Sequence, residues 1–192
     1  KRRQIVSSER FVIYVTETVG YEAGLVAPPI DGLEVHILHT EKDVERLVAA
    51  GYEDVRRVVR PAGQRLNMGG IGFCAFVKRE VAHINWVAPT ADAKPSIDAV
   101  PYKVRFSEGE ACSGGALTLG RFRGLGLHSH VMALRLQYWR THGYTALVAA
   151  AAVDNAPSRH NHCKYNARVR AVGRYRRILS WSQWTEESQG DV

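Results

Sequence analysis

Cysteine, acidic residues in the second half and long apolar runs are what this chain has least of. The three cysteines, Cys74, Cys112 and Cys163, are widely spaced. An odd count without close spacing gives no disulfide framework and no zinc ribbon, and a reducing cytoplasm is the expected home. The longest apolar run, residues 146–153, is far short of the ~20 residues a membrane-spanning helix needs. The start, Lys1-Arg2-Arg3-Gln4, has no apolar stretch behind it and does not read as a secretion signal. Between Arg121 and Arg177 stand eleven Lys and Arg against one acid, Asp154, although the whole chain carries a formal charge of only +7. Such a basic half points to a polyanionic partner: nucleic acid, an acidic carrier protein or a phosphate-rich cofactor.

With 192 residues, 45% of them hydrophobic and 23% charged, the chain is expected to form one domain with a sizeable core. Residues 1–30 are hard to place beyond a strand near 10–15 and a turn at Ala27-Pro28-Pro29. Residues 33–38 alternate as a strand. Thr40 then reads as an N-cap, with Asp43 three residues on, for a helix over 41–50 that stops at Gly51. A second helical stretch is expected over 53–59. Residues 71–77 and 81–87 flank a polar turn as a hairpin. A loop covers 88–99 and a short strand 102–106. Residues 111–119 form a strand interrupted by Gly114-Gly115, a pairing that marks a bulge or a close backbone approach.

Leu127, Val131, Leu134 and Tyr138 share one helix face, and Gly143 ends that helix. Residues 147–153 form a strand apolar enough to be covered on both faces. A helix from Pro157 to Tyr165 and a strand over 168–178 follow. The fold class expected is α/β, a mixed and mostly antiparallel sheet flanked by helices.

The most informative piece is the turn Arg121-Phe122-Arg123-Gly124-Leu125-Gly126, running from a strand into the helix at Leu127. First-turn N–H groups of a helix lack intrahelical partners, and with the helix dipole they hold an anion. Gly124 and Gly126 remove Cβ atoms from the approach, and Arg121 and Arg123 add positive charge. The Gly-Lys-Ser/Thr of a Walker loop is absent, and a dinucleotide fingerprint would need a third glycine.

Arg121-x-x-Gly124-x-Gly126 at a strand–helix junction resembles the coenzyme A signature of the GNAT superfamily of acyltransferases. Asn155-Ala156-Pro157-Ser158 and Lys164-Tyr165-Asn166-Ala167 match the segment that follows in that family. Asn166 stands where Gly is usual and Ala167 where Phe is usual. The likeness is strong over residues 110–178, plausible from 33 onward and weak before 30. It implies a GNAT-like sheet with strands splayed at the coenzyme A site. It also implies an N-acyltransferase moving an acyl group, acetyl in the first instance, from acyl-CoA to an amine, with no metal. Leu117, Thr118 and Leu119 would bond the pantetheine arm as an added strand. Residues Arg121 to Leu127 would hold the pyrophosphate, with Asn155 and Ser158 nearby.

The same resemblance implies Glu110 as the base for the amine. His162, or Tyr165 one turn later, would protonate the leaving thiolate. His83 and Trp86 are candidates for the acceptor pocket. His160-x-His162-Cys163 gives no metal expectation, because neighbours two apart on a helix face different ways. A donor bound to acyl carrier protein, as in synthases of N-acyl amino acids or acyl lactones, is a second reading. A basic nucleic-acid-binding module is a third, although no helix-turn-helix or aromatic-rich basic strand set supports it.

Overall fold

In the computed structural model, which describes residues 6–19, 27–178 and 181–188, strands and helices follow the chain in this order. Strand β1 is Val6–Glu17 and β2 is Leu33–Leu38. Three short helices, α1 (Glu41–Ala49), α2 (Val55–Val58) and α3 (Ala62–Asn67), come next. Then come β3 (Ile71–Val77), β4 (Glu80–Ala88), α4 (Lys94–Ile97) and β5 (Glu110–Thr118). The last third holds α5 (Leu127–Thr141), β6 (Ala146–Ala152), α6 (Ala156–Lys164), β7 (Arg168–Ile178) and β8 (Trp181–Ser188). Eight strands form one sheet in the order β2-β3-β4-β5-β6-β1-β7-β8. Every neighbouring pair is antiparallel except β5 and β6.

The period-2 pattern of the strands divides the core between the two faces of this sheet. On one face Cys74, Ile84, Trp86, Cys112 and Val148 pack against residues of α1 to α4. On the other, Phe73, Ala75, Val87, Ala111 and Leu147 pack against α5. That helix buries Val131, Met132, Arg135, Leu136 and Trp139, whereas Leu134 and Tyr138 are only half-buried. Its core face is thus rotated by about one residue from the stripe expected from Leu127, Val131, Leu134 and Tyr138.

Helix α1 starts where the sequence placed it. Thr40 and Asp43 form a capping box, with the Thr40 N–H donating to Asp43 Oδ2 at 2.8 Å. The strand expected at 102–106 is absent. Pro101 supplies no N–H to a ladder, and the Tyr102 hydroxyl is drawn inward to donate to Asp98 Oδ2 at 3.0 Å. The chain therefore runs irregularly into the 3-10 turn Phe106–Glu108. Of the unplaced N-terminal stretch, residues 1–5 and 20–26 lie outside the described residues. Its remaining part, β1, is central to the sheet, between β6 and β7.

Ile13 is fully buried and pairs with Ala150 on β6 and Ala171 on β7. Ile13→Ala is therefore expected to cost about 2–5 kcal/mol, read as a lowered urea midpoint with an unchanged slope. A loss under 1 kcal/mol would mean that β1 adds little to the sheet.

Candidate active site

Strands β5 and β6 run parallel for only three pairs, Glu110↔Ala146, Ala111↔Leu147 and Cys112↔Val148. Beyond Cys112 the edge of β5 that faced β6 is open, while its other edge still pairs with β4 as far as His83↔Thr118. A bulge sets Gly115 and Ala116 opposite the single residue Asn85. Gly115 has φ +59, strained for any residue with a side chain, and a Cβ there would lie 2.7 Å from Arg65 Nη1 and displace that guanidinium. Bulges bend and twist a strand, and this one turns β5 away from β6.

The gap between the strands is a cavity of about 420 Å³. Its β5 wall runs from Ser113 to Ala116 and includes Thr118; Ala149 and Ala150 of β6 form the facing wall. Helix α5 contributes His128, Met132 and Arg135, and α6 contributes Asn155, Ser158, Asn161 and His162, with Tyr165 just beyond.

At the mouth, the chain leaves β5 through the 3-10 turn Gly120–Phe122 and enters α5 with Gly126 as its N-cap. Gly124 and Gly126 have φ +78 and +79, a region open to glycine at little cost. A Cβ on Gly124 would meet nothing within 4 Å, so its smallness leaves open space above the turn. The first bond of the helix runs from the His130 N–H to the Gly126 carbonyl at 3.1 Å. The N–H groups of residues 124–129 therefore donate to no carbonyl among the described residues, and the positive end of the helix dipole is bare. Arg123 donates to the Thr118 carbonyl at 3.3 Å, and exposed Arg121 pairs with Glu80.

The predicted site residues thus divide. Thr118, Asn155, Ser158, His162 and Tyr165 come together around the cavity. The Asn155 side chain caps α6, accepting from the Ser158 N–H at 3.1 Å. Leu117 and Leu119 pack beside the wall, Leu117 against Ile84 in register and the Leu119 N–H bonded to Ala82. Leu125 is exposed and Leu127 buried.

Glu110 is absent from the cavity wall. It begins β5 at the closed end of the gap, almost wholly buried, where both its oxygens accept from Arg170 and Oε2 also accepts from the Arg105 N–H at 2.8 Å. Burial pushes this carboxyl up, but Arg170 and the Arg105 N–H outweigh it and hold the group below its ordinary value. So placed, Glu110 is a clamp and a poor proton acceptor.

His83 and Trp86 are interior too. His83 is bonded to the Thr118 hydroxyl at 2.7 Å, and Trp86 is fully buried beneath Arg65. Asn85, between them, is the residue of β4 that reaches the cavity.

Sequence reasoning missed the residues that set the electrostatics. Arg135 is 1% exposed. Its Nη2 donates to Ser113 Oγ at 2.6 Å, its Nη1 makes only a weak 3.5 Å contact with Met132 sulfur, and its buried Nε has no partner. Desolvation lowers its pKa to about 9, so it remains charged at neutral pH. The available signal was an arginine one turn from Val131 and from Trp139, on the same helix face as these two apolar residues.

Three histidines surround this charge. Burial first, then His128 and Arg135, lower His83 to about 3. Burial, Arg135 and Lys164 lower His128 to about 4. His162, stacked on Tyr14 at 4.4 Å, is lowered to about 4 by burial, His128 and Arg135. All three are neutral at pH 7. The Tyr165 hydroxyl is raised by burial, opposed by a hydrogen bond with Ser129 and by Arg135.

No protein-family model matches the chain and no curated protein matches it. The fold, however, is GNAT-like, the architecture of acyl-CoA N-acyltransferases. A tandem GNAT protein from the clavulanic acid biosynthesis pathway superposes with TM-score 0.56 at 14% identity, over 95% of this chain and 55% of that one. A GCN5-related N-acetyltransferase from Kribbella flavida gives 0.51 at 14%, over 97% and 61%. A C-terminal domain assigned to a lysylphosphatidylglycerol synthetase of Agrobacterium fabrum gives 0.50 at 10%, over 85% and 59%. The chain thus spans little more than half the length of these structures. Among the described residues no helix is long and apolar enough to cross a membrane.

Since the three histidines titrate below the ordinary value of 6.5, the unfolded chain binds more protons between pH 6.5 and about 4. Stability must therefore fall as pH falls through that window, by up to about 1.4 kcal/mol per pH unit for each histidine. His128→Gln should flatten the slope of unfolding free energy against pH. An equal slope in the variant would show that His128 does not resist protonation.

Proposed function

We propose that this chain is an acyl-CoA-dependent N-acyltransferase. The observation that carries the reading is the bare amide-lined turn at Gly124 and Gly126, set at the mouth of a cavity walled by the open edge of β5. The turn offers N–H groups and a helix dipole to a pyrophosphate. The open edge from Thr118 back to Ser113 offers backbone groups to an amide-bearing arm, as an added strand would use them. A donor laid along that path delivers its thioester into the gap between β5 and β6, facing α6.

In the reaction, an amine nitrogen attacks the thioester carbonyl. The C–N bond forms, the C–S bond breaks, the nitrogen loses a proton and the thiolate gains one. His162 is neutral at pH 7 and faces the cavity, so it has no imidazolium proton to supply, and with its pKa pushed down to about 4 it is also a weak acceptor, suited to orienting the amine by a hydrogen bond. Tyr165, protonated at neutral pH, is the proton donor to the thiolate. A coenzyme A thioester as donor, an amine as acceptor and a cytoplasmic setting belong to this proposal alone. The acyl-carrier reading is weaker, since a carrier-bound chain has no need of a turn built for free pyrophosphate.

Coenzyme A should raise the melting temperature, adding about 2.7 kcal/mol at 100 times its dissociation constant. Gly126→Val should abolish that shift, because a branched residue is strained at positive φ and its side chain projects over the turn. Unchanged affinity in a folded Gly126→Val protein would place the phosphate elsewhere. No shift in the wild type at millimolar coenzyme A would end the reading.

Tyr165→Phe should lower kcat by about 10²–10⁴-fold with donor affinity retained. Full turnover in that variant would remove the tyrosine from the chemistry.

A further inference from the structure

The acyltransfer reading leaves Arg135 without a task. A dry guanidinium is among the most costly groups to bury, and proteins ordinarily surround one with carboxylates. Here the neighbours are a serine hydroxyl, a methionine sulfur, neutral histidines, Tyr165 and the Phe73 ring, 6.0 Å below the guanidinium. Arg135 belongs to no ion pair among the described residues, yet it lines the cavity with its Nε buried and unpartnered. The lining histidines and Tyr165 are neutral at pH 7, so Arg135 is the one charged side chain among the residues that line the cavity.

Its position along the donor path identifies what would meet it. The pyrophosphate lies at Gly126 and the arm runs back along β5 from Thr118 toward Ser113. Arg135 is bonded to Ser113, one residue past the last β5–β6 pair at Cys112. The end of the donor that reaches the base of the gap is the acyl group. An acetyl methyl there would offer the guanidinium no partner. A terminal carboxylate would neutralise it through the paired hydrogen bonds that arginine makes with carboxylates.

We propose that the acyl group transferred is the half-thioester of a short dicarboxylic acid, its free carboxylate seated against Arg135 and Ser113 at the closed end of the cavity. The proposal rests on the acyltransfer reading and names its donor. The free carboxylate takes no part in the bond changes. The C–S bond still breaks, the C–N bond still forms, and the product amide carries a new negative charge.

The test is calorimetric titration of the protein with coenzyme A, acetyl-CoA, malonyl-CoA and succinyl-CoA. One of the two dicarboxylic thioesters should bind about 10–100-fold tighter than acetyl-CoA, the worth of a hydrogen-bonded charge pair. Arg135→Met should erase that preference and leave coenzyme A affinity unchanged. Ser113→Ala should reduce the preference several-fold, and it provides the readout if Arg135→Met does not fold. Coenzyme A binding with equal affinities for acetyl-CoA and both dicarboxylic thioesters would overturn this proposal and leave the acyltransfer reading standing. If no coenzyme A species binds, the acyltransfer reading falls first and this proposal falls with it.

Discussion

The ladder between β5 and β6 holds for three residue pairs and then parts. On that parting depend the cavity, the open edge of β5 and the placing of α5 and α6 around them. Two features enforce it. The bulge at Gly115 and Ala116 redirects β5, and the bulky Met132 and Arg135 of α5 line the space that opens. At the closed end the strands are held by Glu110, tied to Arg170. That arginine lies where the β1–β7 register slips, and its side chain passes β1 and β6 to reach β5. A fork that must open at one end is thus pinned at the other by a buried ion pair, a use in which geometry counts for more than net stabilisation.

The electrostatics follow from the same geometry. A gap narrow enough to strip water from side chains raises the cost of charge on every group inside it. The histidines respond by staying neutral, whereas Arg135 cannot shed its proton so easily. The result is a pocket whose polar groups are nearly all uncharged around one fixed positive charge. Part of the basic excess of the second half is accounted for in this way. Arg135 faces the cavity, Arg170 holds Glu110, and Arg159 donates to the Val153 carbonyl that ends the strand before α6.

Local chemistry made much of this legible in the sequence. Thr40 with Asp43, Gly124 with Gly126, the glycine pair in β5 and left-handed Asn166 at φ +52 each write a short-range rule into adjacent residues. What escaped was set by distance. Glu110 sits at a plausible spacing from the signature, but Arg170, its partner, comes from another strand. Trp86 alternates correctly with its neighbours, yet which face is core depends on the helices that cover it. Strand β8 escaped because Trp181 and Trp184 are spaced by three and break the alternation that marks a strand. Arg135 escaped because an arginine in a basic segment reads as a surface residue until its burial is known.

The position of β1 bears on how the molecule assembles. Strands β2 to β5 lie side by side in the order they are made, so each finds its neighbour by closing a modest loop. Strand β1 does the opposite, since Val12 must meet Ala151 on one side and Val172 on the other. Non-local pairings of that kind slow folding. During synthesis β1 emerges well before both of its partners, and its edges stay bare until β6 and β7 follow. Bare edges invite pairing with other chains. Its sequence fits that wait: Glu9, Arg10 and Glu17 stand among Phe11, Ile13 and Val15 and keep a waiting strand charged. Strand β1 precedes every other described strand, yet its seat is complete only when β7 has followed it.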